Sequence, residues 1–215
     1  MRQEITKRVE NYIKTELMKS AKYQDNTSRM AEYRIEHSFR VAHIAAEIAR
    51  AEGLDEEKVY VAGILHDIGY SVEFQSKEEY REHGRIGARI ARQFLKELGC
   101  YSDEVIEEIC YAIAIHVDEK ADFPGEKTLF TLSIGEADNI DRFDAYRLYE
   151  GLHFADYMNL ALDEQRIFVD KRLVGLARLL EEPFGTKTSA SMWKEKVNYQ
   201  IEFYNRLKNQ IEKSY

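Results

Sequence analysis

Six side chains suited to holding a metal ion recur through the chain at wide spacing: His37, the adjacent His66 and Asp67, His83, His116 and Asp138. Imidazole and carboxylate donors without thiolate suit a borderline or hard divalent ion, Mn, Fe, Co, Ni or Zn. They suit magnesium alone less well, since it prefers oxygen and water. The sharpest of these features is the dyad, which ends the apolar stretch Val59-Tyr-Val-Ala-Gly-Ile-Leu65 and precedes Gly69. If residues 59–68 are a helix, Val59, Ala62 and His66 share one face while Val61, Ile64 and Leu65 cover the others, so it is buried all round. A desolvated carboxylate in such a core costs several kcal/mol unless a cation or a full set of hydrogen bonds compensates.

The elements that must position these residues read as helix after helix, with no convincing alternating strand. Ile5, Val9, Tyr12, Ile13 and Leu17 repeat at helical spacing, and a polar break follows at Asp25-Asn-Thr-Ser28. A second helix from about Met30 to Ala51 carries His37, Val41, Ile44 and Ile48 on one stripe, with Arg40 at its edge and Gly53 ending it. His43 lies roughly 120° from that stripe and reads as ordinary. Asp55-Glu-Glu57 is an acidic first turn for the central helix. Residues 71–82 are charged and connect to a helix opened by His83-Gly-Arg-Ile-Gly87 and running to about Leu98. Two glycines there cost up to ~1 kcal/mol each and point to close approach of another segment.

Asp103 is the expected N-cap of the next helix, whose face of Val105, Ile109 and Ala112 ends at His116. After Pro124-Gly125 a helix begins near Lys127, with Thr131, Ile134, Asp138, Arg142 and Ala145 within roughly 40° of one line and Asp141 at its edge. Residues 156–180 continue as helix, Pro183-Phe-Gly185 interrupts, and residues 189–211 form a last amphipathic helix. Residues 1–215 are expected to form a single helical domain, its motif region at about 30–145 and its C-terminal helices, 156–212, packing on it.

Taken singly, each ligand has a plainer explanation. A lone histidine on an apolar face is more often a hydrogen-bonded core residue, and Asp138 could pair with Arg142 one turn on. The net charge is −8 and no long basic tract occurs, which argues against non-specific nucleic-acid binding; an anionic substrate then needs a locally positive site. The longest apolar run is far short of the roughly 20 residues that span a bilayer, so no membrane association and a cytoplasmic location are expected. Cys100 and Cys110 fit no Cys-x-x-Cys pattern and are expected to be packing residues.

In order and helical context, His37, His66-Asp67 and Asp138 within Glu136-Ala-Asp-Asn-Ile-Asp141 resemble the H…HD…D signature of the HD superfamily of metal-dependent phosphohydrolases. The resemblance covers residues 30–145, with Leu65-His-Asp-Ile-Gly69 its most characteristic piece. It implies an all-α bundle with the metal between central helices, His37, His66, Asp67 and Asp138 as ligands, and hydrolysis of phosphate esters or anhydrides. His83 and His116 stand where dinuclear members hold a second ion, magnesium included, with the dyad aspartate as bridge. The chain is less similar to the HD-GYP class, because Val-Asp-Glu follows His116. A closer resemblance is to small bacterial HD-type nucleotide hydrolases, through His-x-x-Arg-Val at 37–41, His-Gly at 83, Ala-Asp-Asn-Ile-Asp and Lys-Arg-Leu at 171–173. Glu136 stands where those enzymes usually have aspartate.

The expected chemistry is attack on phosphorus by hydroxide, since a bound divalent ion lowers the pKa of its water from 15.7 towards ~7. Asp67 and His66 are the expected catalytic residues. Arg40, Asp141, Arg142 and Lys171 are the expected contacts to a small phosphorylated substrate, a nucleotide by the closer resemblance; arginine can grip phosphate bidentately. Two other classes remain open: a di-iron oxygenase on the HD fold, and a nucleotide-binding signalling module with a residual site. The amphipathic terminal helices would also suit a homodimer.

Overall fold

The computed structural model describes residues 2–19 and 28–214, which contain helices and turns and no strand, so the all-α expectation holds. The polar break at 25–28 falls largely outside the described residues. Backbone contacts divide the chain into two compact units, Met1–Asp138 and Asn139–Tyr215. Among the described residues, no helix is long and apolar enough to cross a membrane.

The first unit is built around α3 (Glu56–Leu65). Asp55 caps it by accepting from the backbone N–H groups of Glu57 and Lys58, and every residue from Val59 to Leu65 except Tyr60 is buried. Burying each large aliphatic side chain contributes about 1.5–3 kcal/mol, so this helix is held by its surroundings, not by propensity. Those surroundings are α1 (Arg2–Lys19), α2 (Ser28–Glu52) and α6 (Asp103–Ile115), all packed against it. From α1 come Val9, Ile13 and Leu17, and from α2 come Val41, Ala45 and Ile48, all fully buried.

The helix stops at Leu65, before the dyad and not at residue 68 as its apolar pattern predicts. The end is capped locally: the His66 ring N–H at Nδ1 donates to the Gly63 carbonyl at 2.7 Å, satisfying a group the helix end leaves open. Asp67 then takes φ −97°, ψ 12°, and a short 3-10 helix, Ile68–Ser71, follows. Residues 72–82 are a turn plus the one-turn helix α4 (Lys77–Arg81), capped by Ser76.

Next, α5 (His83–Leu98) lies along α6 and against the 3-10 helix after the dyad. Its inner face is His83, Gly84, Gly87, Ala88, Ala91, Leu95 and Leu98; outside, Arg85, Arg89 and Arg92 pair with Asp118, Asp122 and Glu107. The close approach that the two glycines imply is real: a Cβ on Gly84 would lie 2.7 Å from the Ala114 carbonyl oxygen. Ser102, not Asp103, caps α6, since its hydroxyl accepts from the Val105 N–H while Asp103 occupies the first turn. Cys110 is buried on α6 and Cys100 is exposed, so only the first is a packing residue.

The last helix of this unit, α7 (Leu129–Arg142), carries Asp138 and runs past the unit boundary. Beyond it the second unit contains α8 (Ala145–Phe154), α9 (Leu162–Leu179) and α10 (Lys187–Glu212). The expected continuous helix over 156–180 is broken, because Asp156 sits at φ +49° and a 3-10 turn, Tyr157–Asn159, precedes α9. Ala145 likewise starts a new helix after Asp144, whose side chain accepts from the Ala145 N–H. On α10, Trp193 donates to the Leu179 carbonyl at 2.6 Å and Gln200 to the Phe143 carbonyl at 2.8 Å.

Candidate metal centre

The six candidate ligands come from five places in the first unit: His37 on α2, the dyad after α3, His83 opening α5, His116 after α6 and Asp138 on α7. All six are buried. Ligand atoms of His37, His66 and Asp138 lie within 4.8 Å of one another, as do those of His66, Asp67 and His116, and either group could hold a metal ion.

Asp67 is at the middle. Its Oδ1 faces His83 Nε2 at 3.4 Å and His116 Nε2 at 3.6 Å. Its Oδ2 faces His66 Nε2 at 3.6 Å and His37 Nε2 at 3.7 Å, and accepts from Arg34 at 2.9 Å. Asp138 Oδ1 completes the His37 side at 3.1 Å from Nε2. One carboxylate therefore presents a separate oxygen to each pair of imidazoles.

Three histidines are oriented by the same device. Nδ1 of His66, His83 and His116 donates to the carbonyl three residues earlier, on Gly63, Tyr80 and Ile113, at 2.7, 2.8 and 2.7 Å. Nε2 of each ring is then left facing inward, towards Asp67 and, for His83 and His116, towards one another at 3.2 Å, which is the nitrogen a metal would use. His66 Nε2 is buried and has no hydrogen-bond partner among the described residues, a costly arrangement for a ring nitrogen unless a cation uses it. The donor set therefore fits a divalent metal.

Electrostatics agree with that fit. Burial pushes the Asp67 carboxyl up, but His66, His116, His83 and Arg34 outweigh it and hold the group well below the usual carboxylate range. Burial lowers His66 to about 4, opposed by Asp67 and assisted by His116 and His37. An unfolded chain takes up this proton near pH 6.5, the folded one only near 4. In metal-stripped protein the stability linked to His66 is therefore complete above pH 6.5, declines across 6.5 to about 4 and is lost below, a change on the order of 3 kcal/mol. Urea midpoints measured from pH 7 to 4 should fall over that window, and His66→Gln should flatten the slope there.

Of the expected substrate residues, Arg40 is half-buried with its guanidinium 6.0 Å from the Tyr33 ring, which stacks on His37 at 6.1 Å. Asp141 is buried, while Arg142 and Lys171 are exposed. Two residues at the centre escaped the sequence reading. Arg34 grips Asp67 and lies 3.9 Å over the Tyr70 ring, and Tyr70 sits 4.6 Å from the His83 ring. The signal for Arg34 was its position three residues before His37, on the same face of α2.

The HD domain family model matches residues 34–146, a stretch holding all six candidate ligands. The chain belongs to the HD domain family. This HD-domain chain is similar to Ribonuclease Y of Mycoplasma mycoides, 45% identical over 58 residues, which is 27% of the chain and 13% of the relative. It is also similar to Ribonuclease Y of Thermus thermophilus, 35% identical over 104 residues, 48% of the chain and 15% of the relative. The matches to these curated relatives therefore span under a fifth of their length. Its fold is like the crystal structure of a predicted HD superfamily hydrolase from an uncultured Thermotogales bacterium, with TM-score 0.59, 24% identity, and coverage of 95% of this chain and 91% of the other.

Proposed function

We propose that this HD-domain chain is a metal-dependent phosphohydrolase acting on the phosphate ester or anhydride of a nucleotide. The observation that carries the reading is the Asp67 carboxylate with one oxygen towards His83 and His116 and the other towards His37 and His66. His37, His66, Asp67 and Asp138 would hold one ion, and His83 and His116 would join Asp67 around a second. A divalent ion there supplies a water acidified towards pKa ~7 and positive charge to offset phosphate. Asp67 orients the reacting water and, kept ionised by its neighbours, takes no proton itself. Arg34, already beside Asp67, is the cation best placed to touch a phosphate oxygen, and Arg40 lies one ring further out. The roles expected for Asp141, Arg142 and Lys171 at the substrate remain part of the proposal.

A second reading, hydrolysis of an RNA phosphodiester, is favoured by the Ribonuclease Y similarity. Both readings predict that EDTA abolishes turnover and that Mn²⁺ or Co²⁺ restores it. Phosphate release from nucleoside mono- and triphosphates, set beside cleavage of a short labelled RNA, separates them. If neither substrate class nor a panel of monophosphate esters is turned over with any of these metals, the hydrolase reading fails.

A further inference from the structure

The stretch between the dyad and His83 is not accounted for by metal binding. Residues 73–77 and Tyr80 line a recess of about 730 Å³, with Phe74, Gln75, Lys77 and Tyr80 on its wall. Phe74 and Tyr80 meet edge to face at 5.7 Å, and each meets Tyr70 the same way, at 5.5 and 5.7 Å. Tyr70 is in turn 4.6 Å from the His83 ring, and the Tyr80 carbonyl is the acceptor that orients His83. The recess is therefore one side-chain layer from the metal centre.

Its composition is unusual for a surface loop. Tyr80 is 46% exposed although it belongs to a three-ring cluster, so aromatic surface is left open on the recess side. The loop is braced all the same: the Gln75 N–H donates to the Glu79 carboxylate at 2.6 Å and the Glu79 N–H to the Ser76 hydroxyl at 3.1 Å. An aromatic wall with the Gln75 amide, the Ser76 hydroxyl, the Glu73 carboxylate and the Lys77 ammonium group around it offers donors and acceptors to a planar heterocycle, which stacks on its face and hydrogen-bonds at its edge.

We propose that this recess binds the base of a nucleotide whose phosphate lies at the histidine and aspartate centre, and that Phe74 and Tyr80 set the preference for nucleotides over base-free phosphates. The inference rests on the hydrolase reading for the position of the phosphate. Stacking on an aromatic wall is worth roughly a tenfold preference or more.

The test compares AMP, GMP, CMP and UMP with ribose 5-phosphate on Mn²⁺-treated protein, by turnover and by calorimetric binding. In Phe74→Ala and Tyr80→Ala the kcat/KM ratio of the best nucleotide to ribose 5-phosphate should fall about tenfold through KM. Phe74→Tyr and Tyr80→Phe, which keep the rings, should restore it. If none of these monophosphates is turned over but a nucleotide still binds more tightly than ribose 5-phosphate, and Phe74→Ala removes the difference, the recess stands and hydrolysis of nucleoside monophosphates falls. Equal binding of nucleotides and ribose 5-phosphate by the unmutated protein, or a ratio unmoved in both alanine variants, overturns the recess proposal whatever the turnover.

Discussion

Asp67→Asn should strip metal from both imidazole pairs at once. Each carboxylate oxygen faces a different pair, at 3.4 and 3.6 Å on one side and 3.6 and 3.7 Å on the other, so its charge serves both pairs. Asparagine keeps the shape but presents an uncharged oxygen and an N–H₂ that repels a cation. The loss of affinity should exceed the 10–100-fold typical of residues that only support a ligand. Metal content measured after dialysis against trace Mn²⁺ should fall to near zero, and turnover with it. By contrast, His83→Ala should lose only the ion on its own side and keep the one held by His37, His66 and Asp138. If Asp67→Asn retains a full complement of either ion, the carboxylate is not shared between them.

Gly69→Ala should be among the most destabilising substitutions available in the chain. A Cβ there would lie 2.2 Å from the His83 carbonyl oxygen, 3.0 Å from its carbon and 3.1 Å from the Gly87 nitrogen. All three are backbone atoms of α5, so relief requires the start of that helix to move, and His83 moves with it. Overpacking of this kind costs about 1–3 kcal/mol and more where backbone must give. The urea midpoint should drop accordingly, and residual folded protein should bind metal poorly. Gly175→Ala on α9 is the contrast: nothing lies within 4 Å of its added Cβ, so helix propensity alone should raise stability by up to ~1 kcal/mol. An unchanged midpoint for Gly69→Ala would mean that α5 and the dyad turn are not rigidly packed.

Residue type and helical period made the buried polar cluster legible, because His37, His116 and Asp138 occupy places on apolar stripes where a polar side chain needs a reason. The glycine pair after His83 was legible for the same reason, as a local cost requiring a contact. What periodicity could not supply was anything set by the ends of elements. The end at Leu65 is capped by the His66 ring bonding back to Gly63, and the cap of α6 depends on which of two adjacent polar residues reaches the Val105 N–H. The break at Asp156 depends on one backbone angle. Arg34 was passed over because a charged residue on a helix usually faces solvent, and only the fold brings it 2.9 Å from a residue 33 positions away.

His66 and His116 are the residues that terminate α3 and α6, so two helices end at the metal centre with their carboxyl ends towards it. The aligned peptide dipoles give each such end a partial negative charge of roughly half an electron. The N-terminus of α5, at His83, carries the opposite partial charge, so two negative ends against one positive end leave the backbone net negative here before any side chain is counted. It draws cations and turns phosphate away. For the phosphohydrolase proposed above, a bound metal would reverse that field beside Arg34, and the expected order of binding is metal first and phosphate second.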